Sequence, residues 1–268
     1  MIRSLSATAM LVTLALPAAA QNRAADFSWS KPLAAGGTVS IHNINGDIKV
    51  VPSTSGKVEV LGFKRGSGRG LDNMKVDVVE SSRGVNICVI RTDLDSYCDE
   101  EGMHQNDRRS RWSRDDDWGN GRVNLEIAVP TNLVVRPSTV SGDIDVTGAH
   151  GDISANSVSG EIILDKLLAS SVRANSVSGS ITVRIDRLTG AGDFSFHSVS
   201  GDVLLELPRD FGADLSMSTV SGDVDSDFPI TLGNGRMSRR SLNARIGAGG
   251  RRLDVSTVSG DLKLRMNK

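Results

Sequence analysis

The sequence is poor in aromatic residues and has no excess of charge of either sign. Its 268 residues include six Phe, three Trp and one Tyr, against 28 Gly. This scarcity argues against a broad sandwich core and favours a narrow β-structure with tight corners. The 31 basic and 32 acidic residues nearly cancel. No overall field therefore points to nucleic acid or to a membrane surface as a partner.

Long apolar runs are also missing, apart from one short run at the N-terminus. Residues 1–20 combine Arg3, an apolar stretch at 9–16 and three alanines at 18–20, which is the order of a secretory signal peptide. This run is too short for a permanent membrane-spanning helix, and no later segment reaches the length required. We therefore predict an exported protein, in the periplasm, on the outer surface or secreted, without a transmembrane segment after cleavage near Gln21.

Cysteine is nearly absent, since only Cys88 and Cys98 occur. In an oxidising compartment a pair this close in sequence is expected to form one disulfide. The chain-entropy model gives such a small loop about 2–3 kcal/mol of stabilisation. A redox or metal-binding pair is the alternative, which the wide spacing and the lack of neighbouring His or Cys disfavour.

A pentapeptide built on Val-Ser-Gly recurs six times. The copies are TVSGD at 139–143, 219–223 and 257–261, SVSGE at 157–161, SVSGS at 176–180 and SVSGD at 198–202. A relative, NINGD, stands at 43–47. Each copy is followed by alternating apolar residues, as in a β-strand. The repeat glycines are Gly46, Gly142, Gly160, Gly179, Gly201, Gly222 and Gly260.

Each copy is interpreted as one bent rung of two short strands. The apolar parity changes around each copy, so we place a corner at pairs such as Asn156–Ser157 and expect the Val and Gly of each motif to face inward. Successive glycines from Gly142 to Gly222 are 18 to 22 residues apart, and the last gap is 38. One rung is thus degenerate or replaced within 226–248.

The fold class predicted from this period is all-β, a β-solenoid or parallel β-helix-like repeat array with two-strand rungs. An antiparallel β-sandwich or prism is the alternative. A linker at 21–35 precedes a single β-repeat domain at 36–268. Within it, strands at 36–135 cap the array or add longer rungs, a charged mobile loop spans 99–121, and the VSGD array occupies 136–268.

The chain resembles a group of bacterial exported β-repeat proteins that carry the name "putative adhesin" and a domain of unknown function. The resemblance rests on the six VSG copies, on Asn45-Gly46-Asp47 and on the ending IGAGGRRLDVSTVSGDLKL, and it covers roughly residues 36–268. It implies a β-repeat fold and no catalytic residues. The charged insert at 99–121 is a departure from what such a connection needs.

Carboxylates recur after the repeat glycines, at Asp143, Asp202, Asp223 and Asp261. Stacked rungs would bring them into a column in which like charges repel. Our interpretation is that each Asp supports its bend by bonding to the backbone. Calcium binding at these four residues is an alternative, and so is catalysis by paired carboxylates as in glycoside hydrolases. No catalytic motif or cofactor-binding loop occurs, so we predict no cofactor and no enzyme activity.

The charged insert carries a possible ligand loop, Arg111, Trp112, Arg114 and Trp118. Arg and Trp side chains suit an anionic glycan or a lipid head group. The adjacent Asp115–Asp117 run nearly neutralises the arginines, which favours a solvated, self-paired loop.

Together these features predict a non-catalytic exported protein that acts as an adhesin-like or cell-envelope interaction scaffold. Its partner is a cell-envelope polysaccharide or a surface protein, and nucleic acid is not expected. The alternatives are a polysaccharide-active β-helix enzyme and a structural envelope component that self-associates.

Overall fold

The structure is a computed structural model that describes residues 24–67, 69–105, 121–232 and 237–267. The predicted signal peptide lies outside the described residues. Almost every regular element is a strand; the exceptions among described residues are a one-turn helix at Arg69–Asp72 and a 3-10 turn at Thr92–Leu94. Neither helix has the length or hydropathy that crossing a membrane requires, and the described ranges contain no other.

Twenty-three strands follow one another along the described ranges of the chain. They are β1 Phe27–Lys31, β2 Thr38–Asn45, β3 Ile48–Pro52, β4 Val58–Arg65, β5 Met74–Ser81, β6 Gly84–Arg91, β7 Ser96–Asp99, β8 Gly102–Gln105, β9 Arg122–Val129, β10 Val134–Ser141, β11 Ile144–Thr147, β12 His150–Ser159, β13 Ile162–Ser178, β14 Ile181–Leu188, β15 Phe194–Ser200, β16 Val203–Leu207, β17 Ala213–Ser221, β18 Val224–Ser226, β19 Ile230–Thr231, β20 Met237–Ser238, β21 Ser241–Ile246, β22 Arg252–Ser259 and β23 Leu262–Met266.

The strands build a β-solenoid in which each rung gives one strand to a front wall and the next to a back wall. Neighbouring rungs pair in parallel on both walls, as β10 does with β12 and β11 with β13. The described ranges hold eight rungs. In spatial order they are β6/β9, β2/β3, β10/β11, β12/β13, β13/β14, β15/β16, β22/β23 and β17/β18. The solenoid prediction is confirmed, and the antiparallel sandwich alternative is wrong.

The order of the rungs in space differs from their order in sequence at both ends. The rung β22/β23 pairs with β15/β16 on one side and with β17/β18 on the other, although it comes last in the chain. The rung β2/β3 likewise lies between β6/β9 and β10/β11. The long gap between the last two repeat glycines therefore marks a departure from sequential stacking.

Antiparallel strands close both ends of the front wall. At one end β5 pairs with β6, and at the other β21 pairs with β17 and with the short strands β19 and β20. On the back wall, β4 and then β1 extend the first rung in antiparallel fashion. The N-terminal region thus supplies rungs and a cap together, and β19–β21 replace the rung expected within 226–248. Reversed strands of this kind protect exposed sheet edges.

The core is a stack of inward-facing aliphatic side chains from both walls. In the rung β12/β13, Ile153 and Ala155 from the front wall and Ile162 and Leu164 from the back wall are almost completely buried. Full burial of a Leu or Ile side chain stabilises a fold by roughly 1.5–3 kcal/mol. Since no rung encloses these side chains alone, the array depends on stacking.

The predicted inward position of the repeat valines is wrong. Val158 is 48% exposed and Val220 is 64% exposed, whereas the preceding Ser157 is only 5% exposed. The front strand continues straight through the Asn156–Ser157 pair, so Ser157 stays in phase with the inward Ile153 and Ala155. The chain bends at Ser-Gly-Asp instead. This corner displaces the parity change by about two residues from where the alternation alone placed it.

The predicted disulfide between Cys88 and Cys98 is present, with 6.0 Å between the two Cα atoms. It ties the hairpin β7–β8 to β6 on the outer side of the front wall. Tyr97 and His104 stack in this hairpin, and Asp99 accepts a hydrogen bond from His104 at 2.9 Å. Part of the predicted 99–121 loop is therefore an ordered hairpin; residues 106–120 lie outside the described residues.

The fold predicts very unequal costs for substitutions at Gly179 and Ser180. Gly179 has a φ of +152°, and a Cβ there would overlap the carbonyl oxygen of Gly160 in the next rung. Gly179→Val should cost about 2–4 kcal/mol through the strained φ and the displaced corner. Ser180→Val, on the outside of the same corner, should change stability by less than about 1 kcal/mol. Thermal unfolding of both variants measures this, and similar melting temperatures would contradict the stacked-corner geometry.

Candidate functional site

The repeated corner is the element that positions every outward side chain of the array. At each VSGD copy the Gly adopts a φ between +137° and +154°, a backbone conformation that residues other than glycine rarely adopt. The seven repeat glycines lie directly above one another. A Cβ on each would overlap a backbone carbonyl of the adjacent rung, for example that of Gly142 beneath Gly160. The predicted repeat glycines are thus explained by stacking along the solenoid axis, and their inward direction was wrong.

The corner leaves a backbone carbonyl to be satisfied by a side chain. In four of the six copies, the first residue of the motif donates its hydroxyl to the Gly carbonyl of the adjacent rung; the hydroxyls of Ser157 and Ser176 have no partner. Thr257 bonds Gly201 at 3.1 Å, and Ser198 bonds Gly179 at 3.2 Å. In the first VSGD-like rung, Asn43 donates to both Gly46 and Val123. The first letter of the motif is therefore a structural hydrogen-bond donor.

The carboxylate of the motif satisfies the other unpaired group, the amide of the same corner position in the next rung. Oδ1 of Asp202 accepts from the N–H of Asp261 at 2.7 Å, and Oδ1 of Asp261 accepts from Asp223 at 3.0 Å. Asp143 accepts in the same way from Glu161 at 2.8 Å. Backbone support by Asp was expected, but within one bend; the bond instead links successive rungs.

The residues that follow the repeat glycines form what we call the corner column. In spatial order they are Asp47, Asp143, Glu161, Ser180, Asp202, Asp261 and Asp223. Within the described ranges, no three His, Cys, Asp or Glu side chains are grouped so that they could hold a metal ion. Of the four residues predicted as an alternative calcium site, Asp143, Asp202 and Asp261 accept hydrogen bonds from amides of neighbouring corners. The fourth, Asp223, ends the column. The geometry does not converge them on one point.

The outer face of the front wall presents a row of polar side chains. Paired positions on successive rungs carry what we call the polar row: Ser138, Asn156, Asn175, His197, Ser256 and Ser218. Neighbours along the row bond to each other. Asn175 donates to Asn156 at 2.9 Å, and Nδ1 of His197 forms a hydrogen bond of 2.7 Å with the hydroxyl of Ser256. At the row's N-terminal end, His42 lies against the β7–β8 hairpin. The pKa of His42 is lowered mainly by its burial and, to a smaller extent, by the nearby His104.

The outer face of the back wall carries charges in alternating order across five rungs. Arg184 lies between Asp165 and Glu206, with nitrogen–oxygen distances of 3.1 and 2.6 Å. Arg265 pairs with Asp227 at 3.1 Å and with Asp225 at 2.8 Å. Hydrogen bonding to Arg265 lowers the pKa of Asp225 and, reciprocally, raises that of Arg265.

These charges border what we call the back-wall groove, a cleft of about 650 Å³. Its lining residues are Arg184, Asp186, Glu206, Asp227, Arg265, Met266 and Asn267. A second, smaller depression of about 390 Å³ lies near the other end of the same wall, over β1, β4 and β9. Glu59, Glu126 and Leu61 are among its lining residues.

The predicted ligand loop cannot be compared with this geometry. Arg111, Trp112, Arg114 and Trp118 lie outside the described residues. Sequence reasoning missed the back-wall groove, because Arg184, Glu206 and Arg265 are 22 and 59 residues apart and share no motif. The available signal was their common position: each stands five residues after a repeat Gly, on the outward parity of the second strand.

Comparison with known proteins supports the repeat architecture. Residues 138–265 match the model of a family described as Toastrack DUF4097, a domain of unknown function, which confirms the resemblance over the repeat array. The chain also superposes on a "putative cell adhesion protein" from Clostridium sporogenes ATCC 15579, with a TM-score of 0.50 and 9% identity, over 90% of this chain and 99% of that one. This likeness concerns the fold.

A "putative adhesin" from Bacteroides fragilis NCTC 9343 matches with a TM-score of 0.33 and 9% identity, covering 89% of this chain and 96% of that one. None of the curated proteins compared with the chain matches it. Over residues 138–265 the chain is thus similar to a family of β-repeat domains of unknown function, and its role has to be argued from its own surface.

The corner geometry predicts that two identical substitutions differ in cost. Ser198 and Ser176 occupy the same corner position and are each 5% exposed, but the Ser198 hydroxyl bonds Gly179 while the Ser176 hydroxyl has no partner. Ser198→Ala should cost about 1 kcal/mol because it leaves a carbonyl unpaired. Ser176→Ala should be neutral or slightly stabilising. Urea unfolding measures both, and equal costs would contradict the proposed role of the hydroxyl.

The corner column predicts an acid dependence of stability. The N–H of Asp223, and then Lys263, hold the pKa of Asp261 below its ordinary value of 3.8. A lowered folded-state pKa gives stability that is complete above this ordinary value and is lost as the pH falls through the lower folded value. Asp261→Asn should therefore be less stable than wild type at pH 7, with the gap closing below about pH 4.

Unfolding free energies between pH 7 and about pH 2 test this expectation. Asp223→Asn is the matched control, because Asp223 ends the column and its carboxylate accepts no inter-rung bond among the described residues. A stability gap for Asp261→Asn that stays constant with pH would contradict the role of its carboxylate.

Proposed function

We propose that this protein is an exported, non-catalytic binding scaffold of the cell envelope, and that its back-wall groove binds an envelope polysaccharide. The observation that carries the proposal is the charge row itself: Asp165, Arg184, Glu206, Arg265 and Asp227 occupy adjacent rungs. Four steps between rungs span about 19 Å at the usual strand spacing. A ligand that follows this row is an extended chain with repeated hydrogen-bonding groups.

The groove is suited to recognising hydroxyl groups. Each guanidinium is held by two carboxylates, so its planar donors are already oriented before a ligand arrives. Such preorganisation reduces the side-chain entropy lost on binding. The lining also includes Asp186. Its carboxylate forms no ion pair with another described residue. Hydroxyls of a sugar can donate to such carboxylates and accept from the arginines.

The chemistry of the groove favours binding over hydrolysis. A general acid for glycoside cleavage needs a raised pKa so that it holds a proton near neutral pH. Arg265 does the opposite to Asp225, because it lowers the pKa of that carboxyl. Beside the groove, Arg265 therefore stabilises the charged form of Asp225. The adhesion-related names of similar folds are compatible with a binding role.

Binding of the protein to purified peptidoglycan and to lipopolysaccharide tests the proposal. We expect Arg184→Ala/Arg265→Ala to weaken binding at least tenfold, since both oriented guanidinium groups are lost. Arg245→Ala is the matched control, because Arg245 forms a comparable exposed ion pair with Asp214 at 2.9 Å, outside the groove. Thermal unfolding of each variant separates loss of binding from loss of fold.

Two outcomes would overturn the groove assignment. The double variant could bind as wild type does, or the wild-type protein could bind neither polymer. A polysaccharide-active enzyme is the second candidate, since Glu59 and Glu126 share the smaller depression. The same polymers then provide its test: we expect no release of reducing ends. Release that disappears in Glu126→Gln would replace binding by hydrolysis.

A further inference from the structure

We propose that this chain forms a homodimer through the exposed valines of its repeats, with the two solenoids parallel and in register. We call these side chains the valine ridge: in spatial order Val140, Val158, Val177, Val199, Val258 and Val220. Each is between 46% and 64% exposed, and they occupy six successive rungs. At the usual strand spacing the ridge is about 24 Å long.

The corner does not require valine at this position. The hydroxyl of Thr or Ser, the positive φ of Gly and the carboxylate of Asp satisfy the backbone, while the valine side chain points to solvent. Threonine favours strands as valine does and is more compatible with water. A contiguous line of exposed apolar side chains on an otherwise polar wall is typical of an interaction surface.

A second copy of the chain fits the ridge by its spacing. The valines repeat once per rung, at about 4.8 Å, and a partner can meet every one of them only with the same repeat. Another solenoid of this sequence has that repeat by identity. Identical side chains on stacked strands interdigitate in this way in the dry interfaces between paired sheets. A two-fold axis makes such a contact self-complementary.

The charges beside the ridge determine the direction of the partner. The acidic corner column lies on one side of the valines, and the polar row lies on the other. A two-fold axis across the ridge would place the two acidic columns against each other, and like charges at short distance repel. An axis along the ridge places each acidic column beside the polar row of the other copy instead.

The polar side of the ridge is able to receive those carboxylates. Asn156 and Asn175 offer amide donors there, and one position further out Arg136 and Arg173 are exposed. Neither arginine forms an ion pair among the described residues. The parallel arrangement thus combines apolar contact at the centre with opposite charges at the rim. A single ridge is narrower than the standard interface of about 1,600 Å², so the dimer is expected to be weak.

Sedimentation of the mature protein, with its Cys88–Cys98 disulfide intact, measures the association up to about 1 mM. We expect a concentration-dependent dimer that Val177→Lys/Val199→Lys weakens at least tenfold. The milder pair Val177→Thr/Val199→Thr, which keeps the strand propensity, should weaken it in the same direction. Leu61→Lys is the control, because Leu61 is an exposed apolar residue, 38% accessible, away from the ridge. A protein that stays monomeric throughout, or a Lys pair that still dimerises fully, would overturn the proposal.

Cysteine cross-linking tests the direction. In the parallel dimer residue 140 meets residue 140 of its partner, so Val140→Cys alone should form a covalent dimer. In an antiparallel dimer centred on Val177, residue 140 would meet residue 258, and only a mixture of Val140→Cys with Val258→Cys would cross-link. Cross-linking confined to the mixture would refute the parallel arrangement. The outcome is independent of polysaccharide binding, because the back-wall groove lies on the other wall.

Discussion

The structure depends on the pairing of two backbone groups at most of its corners. Where the chain turns from the front wall to the back wall, the regular ladder leaves the Gly carbonyl and the following amide without strand partners. Buried backbone groups without partners are costly, and a repeat protein would incur the cost at every rung. Thr257 and Asp202 illustrate the solution, since one donates a hydroxyl and the other a carboxylate oxygen across the gap between rungs. The pentapeptide is recurrent because the problem is recurrent.

Once the corner is satisfied in this way, the outer surfaces are free to differ. The front wall carries a row of hydrogen-bonding side chains, the back wall carries ion-paired charges, and the edge between them carries valines beside carboxylates. A fold of this kind does not define an activity by itself, so function has to be sought in such surface differences. Here they separate the wall that we propose binds a polymer from the edge that we propose self-associates, and a parallel dimer would direct two identical grooves along the same axis.

Much of the fold could be predicted from the sequence, because the period near 20 residues and the alternation of apolar residues are local signals. The disulfide was equally accessible, since Cys88 and Cys98 have no competing partner. The parity of the corner was not, because alternation alone cannot tell a buried Ser198 from an exposed Val199 when a hydrogen bond to Gly179 stabilises the polar residue. Gly160 was predicted to be structural, but with the wrong direction. The side chain that it lacks would point at the adjacent rung and not into the core.

The candidate site could not be found from the sequence for a different reason. Arg184 and Arg265 come together only through parallel stacking, and the stacking order departs from the chain order at the C-terminal rung. A reader who stacked the repeats sequentially would place Arg265 beyond Asp227 and separate it from Glu206. Long-range register, which no local pattern encodes, therefore decides which charges meet.

The interleaved order of the rungs also constrains how the chain can reach its native state. Strands β17 and β18 emerge before β22 and β23, yet their native neighbours are these later strands. A chain that folds from its N-terminus therefore cannot add every rung to a growing stack in sequence order. The edge of β15/β16 stays unpaired until β22/β23 has been added. Until then β17–β21 cannot occupy their native place, because it lies on the far side of β22/β23. The rung β22/β23 thus closes two edges, those of β15/β16 and of β17/β18, and neither edge is covered before this rung has formed.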